Sequence, residues 1–262
     1  NICSATCFVP VHLHTPRQLR KTANLPFTKR SSPRTSVATF NCKIELYGSP
    51  GSRSPLINWY LHELQIPFEN IDIGRVPGAR ESNPHPFGQI PSLRDQCEDG
   101  TVELFESGAI LSYLADTYGG LKTSKQRAER NAWCMWANAS LDPIIFIETP
   151  EGRVIDTGLR GNPRAVQRLD ALLGKRTWLV DDAFSVADVA VASYLLYVPQ
   201  FFPDLDLGRW ANIAAYAQRC ANREAYAKAY GDRVSALVRA RCDGYVANAA
   251  TGAQEGKKFW PF

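Results

Sequence analysis

The run Asn83-Pro84-His85-Pro86-Phe87-Gly88-Gln89-Ile90-Pro91 is followed fifteen residues on by Glu106-Ser107-Gly108-Ala109-Ile110. These two stretches decide the fold. A proline directly after Ile90 in a strand-like context predicts a cis peptide, because proline is where the cis form is cheap. Such a bond turns the Ile90 N–H and C=O outward, where they can pair with an extended peptide as an added strand. Glu106-Ser107 opens a helical run carrying Ala109, Ile110, Tyr113 and Leu114. The amides and hydroxyl there sit at a positive helix terminus, suited to a carboxylate. A pairing edge for a backbone and an anion hole for an α-carboxylate together describe a site for a small acidic peptide.

With those motifs the chain resembles the glutathione transferase family, over roughly residues 43 to 231. The resemblance implies a thioredoxin-like N-terminal domain followed by an all-helical C-terminal domain. It implies that Ile90 and Pro91 pair with the cysteinyl part of glutathione, that Glu106 and Ser107 hold its γ-glutamyl end, and that Gln89 reaches the glycyl carboxylate. Lys43 to Glu69 (KIELYGSPGSRSPLINWYLHELQIPFE) is most similar to the cyanobacterial, chi-type branch.

Working outward, Lys43 to Tyr47 alternates as a strand does. Gly48 to Ser54 is a turn of small residues, and Pro55 falls in the first turn of a helix, where it is tolerated. Leu56, Ile57, Tyr60, Leu61 and Leu64 then recur at helical spacing. Phe68–Ile73 reads as a second strand, Ile90–Leu93 as a short third, and Asp99-Gly100 as a hairpin signal leading into Val102-Leu104-Phe105. A helix over 107–118 completes β-α-β, then β-β-α, a thioredoxin-like order. After Gly119-Gly120 the pattern turns helical over 124–142, 163–174, 186–200, 209–220 and 222–230, with Pro143, Gly161-Asn162-Pro163 and Pro203 as breaks. Ser185-Val186-Ala187-Asp188 is a capping-box-like start, read as structural. The glycine that the family carries just upstream is replaced by Asp181-Asp182, so that turn is expected to be shaped differently. The expected domains are an arm over 1–42, a thioredoxin-like domain over 43–118, a helical domain over 119–231 and an extension over 232–262. In the extension Val234, Leu237, Val238 and Tyr245 fit one more helix, ahead of an aromatic, basic end, Lys257 to Phe262. Folding back over the cleft, docking on a partner and a free tail all remain open for it.

Composition sets limits. The chain has 262 residues, 45% of them hydrophobic, and a net charge of +4. Arg17, Arg20, Lys21, Lys29, Arg30 and Arg34, with no acid among residues 1–40, account for more than that excess, so the remainder is slightly acidic. No basic run after residue 43 suggests nucleic-acid binding. No apolar run approaches the roughly 20 residues of a membrane span. Seven scattered cysteines (3, 7, 42, 97, 134, 220 and 242), none in a Cys-x-x-Cys pair, indicate reduced thiols rather than a disulfide framework.

The basic, acid-free arm has the composition of an organelle transit segment. Ala5-Thr6-Cys7-Phe8-Val9-Pro10 resembles the cleavage junction of plastid-targeted proteins in algae with secondary plastids, which would place a signal peptide upstream of Asn1. An ordinary basic tail on a cytoplasmic protein is the alternative.

The expected chemistry is thiolate formation, since the thiolate is the nucleophile. A hydroxyl, a cation or helix-start amides near the sulfur stabilise that charge. Ser49-Pro50-Gly51-Ser52-Arg53-Ser54 supplies all three where the family uses them. Ser52 is the first candidate for the thiolate hydrogen bond, Arg53 for charge stabilisation and Ser49 the alternative. No tyrosine occupies this turn; Tyr47 lies in the strand before it. Serines at a helix entry are ordinarily caps, so for Ser52 both readings stand. His85 reads as a loop histidine beside the ligand or solvated, and His62 as a surface residue. Trp133, Trp136, Met135 and Asn138 are candidates for part of an electrophile pocket, although such aromatics are more often core. No metal or other cofactor is expected, with glutathione serving as co-substrate.

The sequence leaves three functions to weigh. The first is a glutathione transferase conjugating a small electrophile such as an isothiocyanate or a lipid-derived carbonyl, expected from the family to be a homodimer. The second is a non-catalytic binding or scaffold subunit, as of a plastid complex. The third, a glutaredoxin-type oxidoreductase, needs a cysteine at position 52 or 53 that is not there.

Overall fold

The computed structural model describes residues 43–97 and 100–255, the last four by backbone only. The arm, the hairpin tip Glu98-Asp99 and the aromatic end Lys257–Phe262 lie outside the described residues. The first strand, β1 (Lys43–Gly48), is followed by α1 (Ser54–Leu64), β2 (Phe68–Asp72), a one-turn α2 (Ala79–Ser82), β3 (Ser92–Cys97), β4 (Gly100–Phe105) and α3 (Ser107–Thr117). The sheet order is β2-β1-β3-β4, with β1 parallel to β2 and β3 antiparallel to both its neighbours. Alternation buries Ile44 and Leu46 of β1 with Leu93 of β3, against Leu56, Ile57 and Leu61 of α1 and Ile110, Leu111 and Leu114 of α3. This is the thioredoxin-like arrangement that the sequence predicts.

The third strand differs in extent from Ile90–Leu93. It starts only at Ser92, after the cis Ile90–Pro91 peptide, and continues to Cys97 because β4 pairs along its whole length.

The helical part comprises α4 (Ser124–Trp136), a π-helical turn (Ala137–Leu141), α5 (Asp142–Ile145), a small hairpin β5–β6 (Ile147–Glu148 and Val154–Asp156), α6 (Arg164–Leu173), α7 (Val186–Phe201), α8 (Ala211–Ala221), α9 (Glu224–Tyr230) and α10 (Asp232–Glu255). The single expected helix over 124–142 is thus subdivided. Pro143 falls in the first turn of α5, where a missing N–H costs nothing. Helix α7 is buried along its length from Val186 to Pro199. Its start is the predicted capping box: Asp188 accepts from the Ser185 and Leu179 amides at 2.9 and 3.0 Å and from the Tyr216 hydroxyl at 3.1 Å. Burial nonetheless pushes the Asp188 carboxyl above the usual carboxylate range, against the lowering effect of those bonds.

Asp181 and Asp182, at the turn where the resemblance implies glycine, both adopt left-handed backbone, with φ of 53° and 50°. Short polar side chains tolerate that region. Both carboxylates are used, Asp181 by the buried Arg130 and Asp182 by the Thr177 amide.

The extension folds as α10. Val238 and Cys242 are fully buried and Tyr245 nearly so, while Leu237 faces solvent. His62 is half-buried, edge-on to Phe68 at 5.2 Å, rather than free on the surface; burial lowers its pKa. Among the described residues no helix is long and apolar enough to cross a membrane.

Candidate functional site

The β1–α1 turn is built around Gly48. A side chain there would meet the Ser54 Oγ at 2.0 Å, and that hydroxyl accepts from the Ser49 amide at 3.3 Å. Ser52 closes the same turn. Its Oγ donates to the Ser49 carbonyl at 2.9 Å, lies 2.6 Å from the Ser54 Oγ and accepts from the Ser54 amide at 3.1 Å.

Arg53 reaches out of the turn into the helical part. Its Nε and one terminal nitrogen make a two-pronged contact with Asp142 at 2.9 and 2.7 Å, and the same terminal nitrogen meets Glu148 of the β5–β6 hairpin at 3.1 Å. The guanidinium also stands 5.4 Å from the centre of the Phe146 ring. Burial alone would favour the neutral form, but the Asp142 carboxylate outweighs it and the pKa is raised.

Before β3, Asn83 organises the loop. Its Oδ1 accepts from the His85 amide at 3.0 Å and the Ser92 hydroxyl at 2.5 Å, while its Nδ2 donates to the Gln89 carbonyl at 2.9 Å. His85 is buried rather than solvated. Its Nδ1 accepts from the Phe87 amide at 3.1 Å, and its ring lies 4.8 Å from that of Phe105. An accepting Nδ1 puts the proton of the neutral ring on Nε2.

Across the sheet end, Glu106 caps α3 with φ 67° and ψ 118°, a rare conformation for a residue with a Cβ, and no side chain caps that helix. Strain of this kind persists where surrounding structure imposes it and is concentrated at ligand sites. Ser107 is buried, and its Oγ accepts from the Asn138 Nδ2 at 3.0 Å; the Asn138 Oδ1 in turn accepts from the Tyr194 hydroxyl at 3.3 Å. Gly108 permits this approach, since a side chain on it would lie 3.1 Å from the Asn138 Nδ2. Burial raises the pKa of the Tyr194 hydroxyl.

These elements enclose a cavity of about 520 Å³. Arg53, Gln89, Ile90, Pro91, Glu106 and Ser107 all line it, together with His85, Asn138, Asp142 and Tyr194. The residues assigned to glutathione from sequence, Gln89, Ile90, Pro91, Glu106 and Ser107, therefore converge with Arg53 on one cleft, which Ser49 does not line. Ser52 does not line it; its hydroxyl stays within the turn. Asp142 and Tyr194 were not anticipated, because each lies in a helix that reads as packing and only tertiary contact brings it to the cleft. Asn138 is at the cleft but serves Ser107. Trp133 and Trp136 face elsewhere, edge-to-face at 5.5 Å beside a groove with Leu169 and Leu172 of α6.

A mixed sheet with a cis-proline loop, joined to a helical bundle across a polar cleft, defines a thioredoxin-like protein with a helical second domain. Comparison with known proteins narrows that class. Residues 46–122 match the glutathione S-transferase N-terminal domain and residues 135–224 the C-terminal domain. The glutathione S-transferase GstB of Escherichia coli is 32% identical over 153 residues, covering 52% of this chain and 73% of that protein. The disulfide-bond oxidoreductase YfcG of the same organism is 29% identical over 164 residues, 56% of this chain and 76% of YfcG. A glutathione transferase structure from Methylococcus capsulatus superposes with a TM-score of 0.57 at 27% identity, covering 74% of this chain and 99% of that one. The chain belongs to the glutathione S-transferase family.

Proposed function

We propose that the protein is a glutathione transferase that joins the glutathione thiolate to a small electrophilic carbon. The observation carrying this reading is the convergence of Gln89, Ile90, Pro91, Glu106 and Ser107 on one cavity with Arg53 at its wall. In this reading the γ-glutamyl carboxylate takes the uncapped start of α3, the cysteinyl backbone pairs with Ile90, and Gln89 meets the glycyl end. The thiol then lies toward the β1–α1 turn, where Arg53 and the α1 amides lower its pKa. Ser52 joins them only if its hydroxyl leaves the Ser49 carbonyl and turns toward the cleft, which it does not line as it stands. The resemblance of Lys43–Glu69 to the chi-type branch favours an isothiocyanate or a lipid-derived carbonyl as electrophile. Glutathione is co-substrate, with no bound cofactor or metal.

Two further assignments belong to this reading. We assign the protein as a homodimer on two exposed apolar features, Phe87, which is 77% exposed, and the groove between α4 and α6; a two-fold interface uses the same patches on each copy. Plastid location rests on the composition of residues 1–40.

A second reading, binding without turnover as a subunit of a larger plastid assembly, is favoured by the engagement of the Ser52 hydroxyl inside its own turn. One experiment separates the two: titration of glutathione while thiolate absorbance is followed near neutral pH. Binding with thiolate formation supports the transferase. Binding without it supports the carrier, and no binding overturns both.

A further inference from the structure

A cavity of about 260 Å³ lies where α1 meets the α3–α4 linker, α4 and the residues that open α7 and α9. It shares no lining residue with the glutathione cleft. Tyr60 of α1 lines it and is only 6% exposed. Its hydroxyl has no hydrogen-bond partner among the described residues, yet it is accessible, unlike the equally unpaired hydroxyls of Tyr226 and Tyr230. That hydroxyl opens onto the cavity its side chain lines. Gly119 leaves the opening free, since a side chain there would come within 2.9 Å of the hydroxyl oxygen. Burial raises the Tyr60 pKa, so the group is an O–H donor at neutral pH. A polar group enclosed this deeply and left unpaired calls for a partner in the cavity.

Two guanidinium groups share the wall. Arg223 is held by Glu63 through its Nε and one terminal nitrogen, both at 2.6 Å, and lies 3.6 Å from the centre of the Phe184 ring. Arg130 is 9% exposed and gives its terminal nitrogens to the Gln126 carbonyl at 3.3 Å and to Asp181 at 3.1 Å. The second terminal nitrogen of Arg223 and the Nε of Arg130 have no partner among the described residues. Glu63 cannot answer them. Its Oε1 already accepts from the Trp59 indole at 2.8 Å as well as from Arg223, and its Oε2 from Arg223. Asp181 does not line the cavity. The wall thus carries two cations against one saturated carboxylate, and every unused group in it can donate. Leu64, Leu121, Phe184 and Val186 make the rest of it apolar.

We propose that this cavity binds a small aliphatic monocarboxylate, its oxygens taken by Tyr60, Arg130 and Arg223 and its chain laid against Leu64, Leu121 and Val186. Charge-assisted bonds from arginine and a phenol suit a carboxylate. The apolar remainder suits a hydrocarbon body rather than an inorganic anion. The cavity is smaller than the roughly 300–1,000 Å³ of sites for drug-sized ligands, so the occupant is short. The site stands independently of the glutathione reading, since neither its argument nor its test uses glutathione.

Butyrate is the probe, titrated into the full chain at neutral pH and constant ionic strength while backbone amides are followed by NMR. The expected result is saturable movement of the Gly119, Leu121 and Ser185 amides, with Gln89 and Glu106 unmoved. Tyr60→Phe removes one donor to a charged group and should lower butyrate affinity about tenfold or more. It should leave the melting temperature unchanged or higher, because the hydroxyl has no protein partner to lose. Should that variant not fold, Leu121→Phe fills the cavity from the linker and must give the same loss. A cavity holding water only gives no saturable shift and overturns the proposal. So do shifts centred on Gln89 and Glu106, unchanged affinity in Tyr60→Phe, or binding of butyramide, butylamine or inorganic phosphate as tight as that of butyrate.

Discussion

Two helix starts in this chain answer the same problem in opposite ways. Each helix begins with backbone N–H groups that have no partner within it. At α7 the chain supplies its own answer: Ser185 and Asp188 reciprocate, and Asp188 is fully buried beneath Leu179 and Tyr216. At α3 no side chain caps the first turn, the cap residue Glu106 is held at positive φ, and the amides border a cavity. One start is closed and contributes stability. The other is kept open at a cost in stability, which is the arrangement expected where a carboxylate supplies the cap.

The largest effect should come from closing off the first answer. Asp188→Ala leaves the Leu179 and Ser185 amides without their acceptor, while the Tyr216 hydroxyl keeps the backbone carbonyl of residue 188 at 3.3 Å; at about 1–3 kcal/mol for each donor left unsatisfied, the loss should be roughly 2–4 kcal/mol. Urea unfolding should show it, with glutathione affinity of the folded fraction unchanged; a loss under about 1 kcal/mol would mean that the box is not what holds α7. Asp188→Asn adds a pH signature. Burial raises the Asp188 pKa in the folded state, so the folded protein binds the proton more tightly than the unfolded chain. Its contribution is fully present below the unfolded pKa and is lost as pH rises through the folded one. Wild type should therefore lose stability relative to Asp188→Asn as pH is raised from the ordinary carboxylate range toward neutrality.

The second start should respond in the reverse sense. Glu106→Gly removes the strained Cβ, and the folded state should gain roughly 1 kcal/mol from that relief, less the entropy of an added glycine. The same change should weaken glutathione binding by about 1–3 kcal/mol, the cost of removing one partner of a charged contact. Glu106→Ala should share the binding loss without the stability gain. Calorimetric titration beside thermal melts reads both quantities. A glycine variant that binds as well as wild type would remove Glu106 from the site and end the contrast between the two helices.

This contrast also shows what a sequence discloses. Local motifs were legible: the cis-proline loop, the serine turn, the Ser185–Asp188 box and a helix carrying Val234, Leu237, Val238 and Tyr245 each arise from residues close together in the chain, although the length of that helix, Asp232–Glu255, was not. The cleft-facing roles of Asp142 and Tyr194 were not legible, because helical spacing says which residues share a face but not what that face meets; Asn138 was legible as a pocket candidate, but not its bond to Ser107. The β5–β6 hairpin escaped notice for a different reason. Its strands have two and three residues, too short for alternation to register, and Glu148 gains meaning only through Arg53, ninety-five positions earlier. The π-helical turn at Ala137–Leu141 likewise leaves an ordinary helical pattern in the sequence while shifting the register of α5 beyond it.

The smallest effect belongs to the third helix start, α1, which stands between the other two. Its turn is partly closed by Ser52 and Ser54, as at α7, yet Arg53 opens onto the cleft, as at α3. Ser52→Ala should cost about 1 kcal/mol of stability, the usual loss for a capping hydroxyl. If Ser52 also turns its proton to the thiolate, the variant should show a higher apparent pKa in the pH–rate profile of conjugation, by a unit or less for one neutral donor. A profile unmoved by Ser52→Ala but shifted upward by Arg53→Lys would assign the thiolate to the guanidinium. Lysine keeps the charge but cannot make the two-pronged contact with Asp142 that places it. That outcome would make α1 a start closed by its serines for stability and opened by a single residue for chemistry.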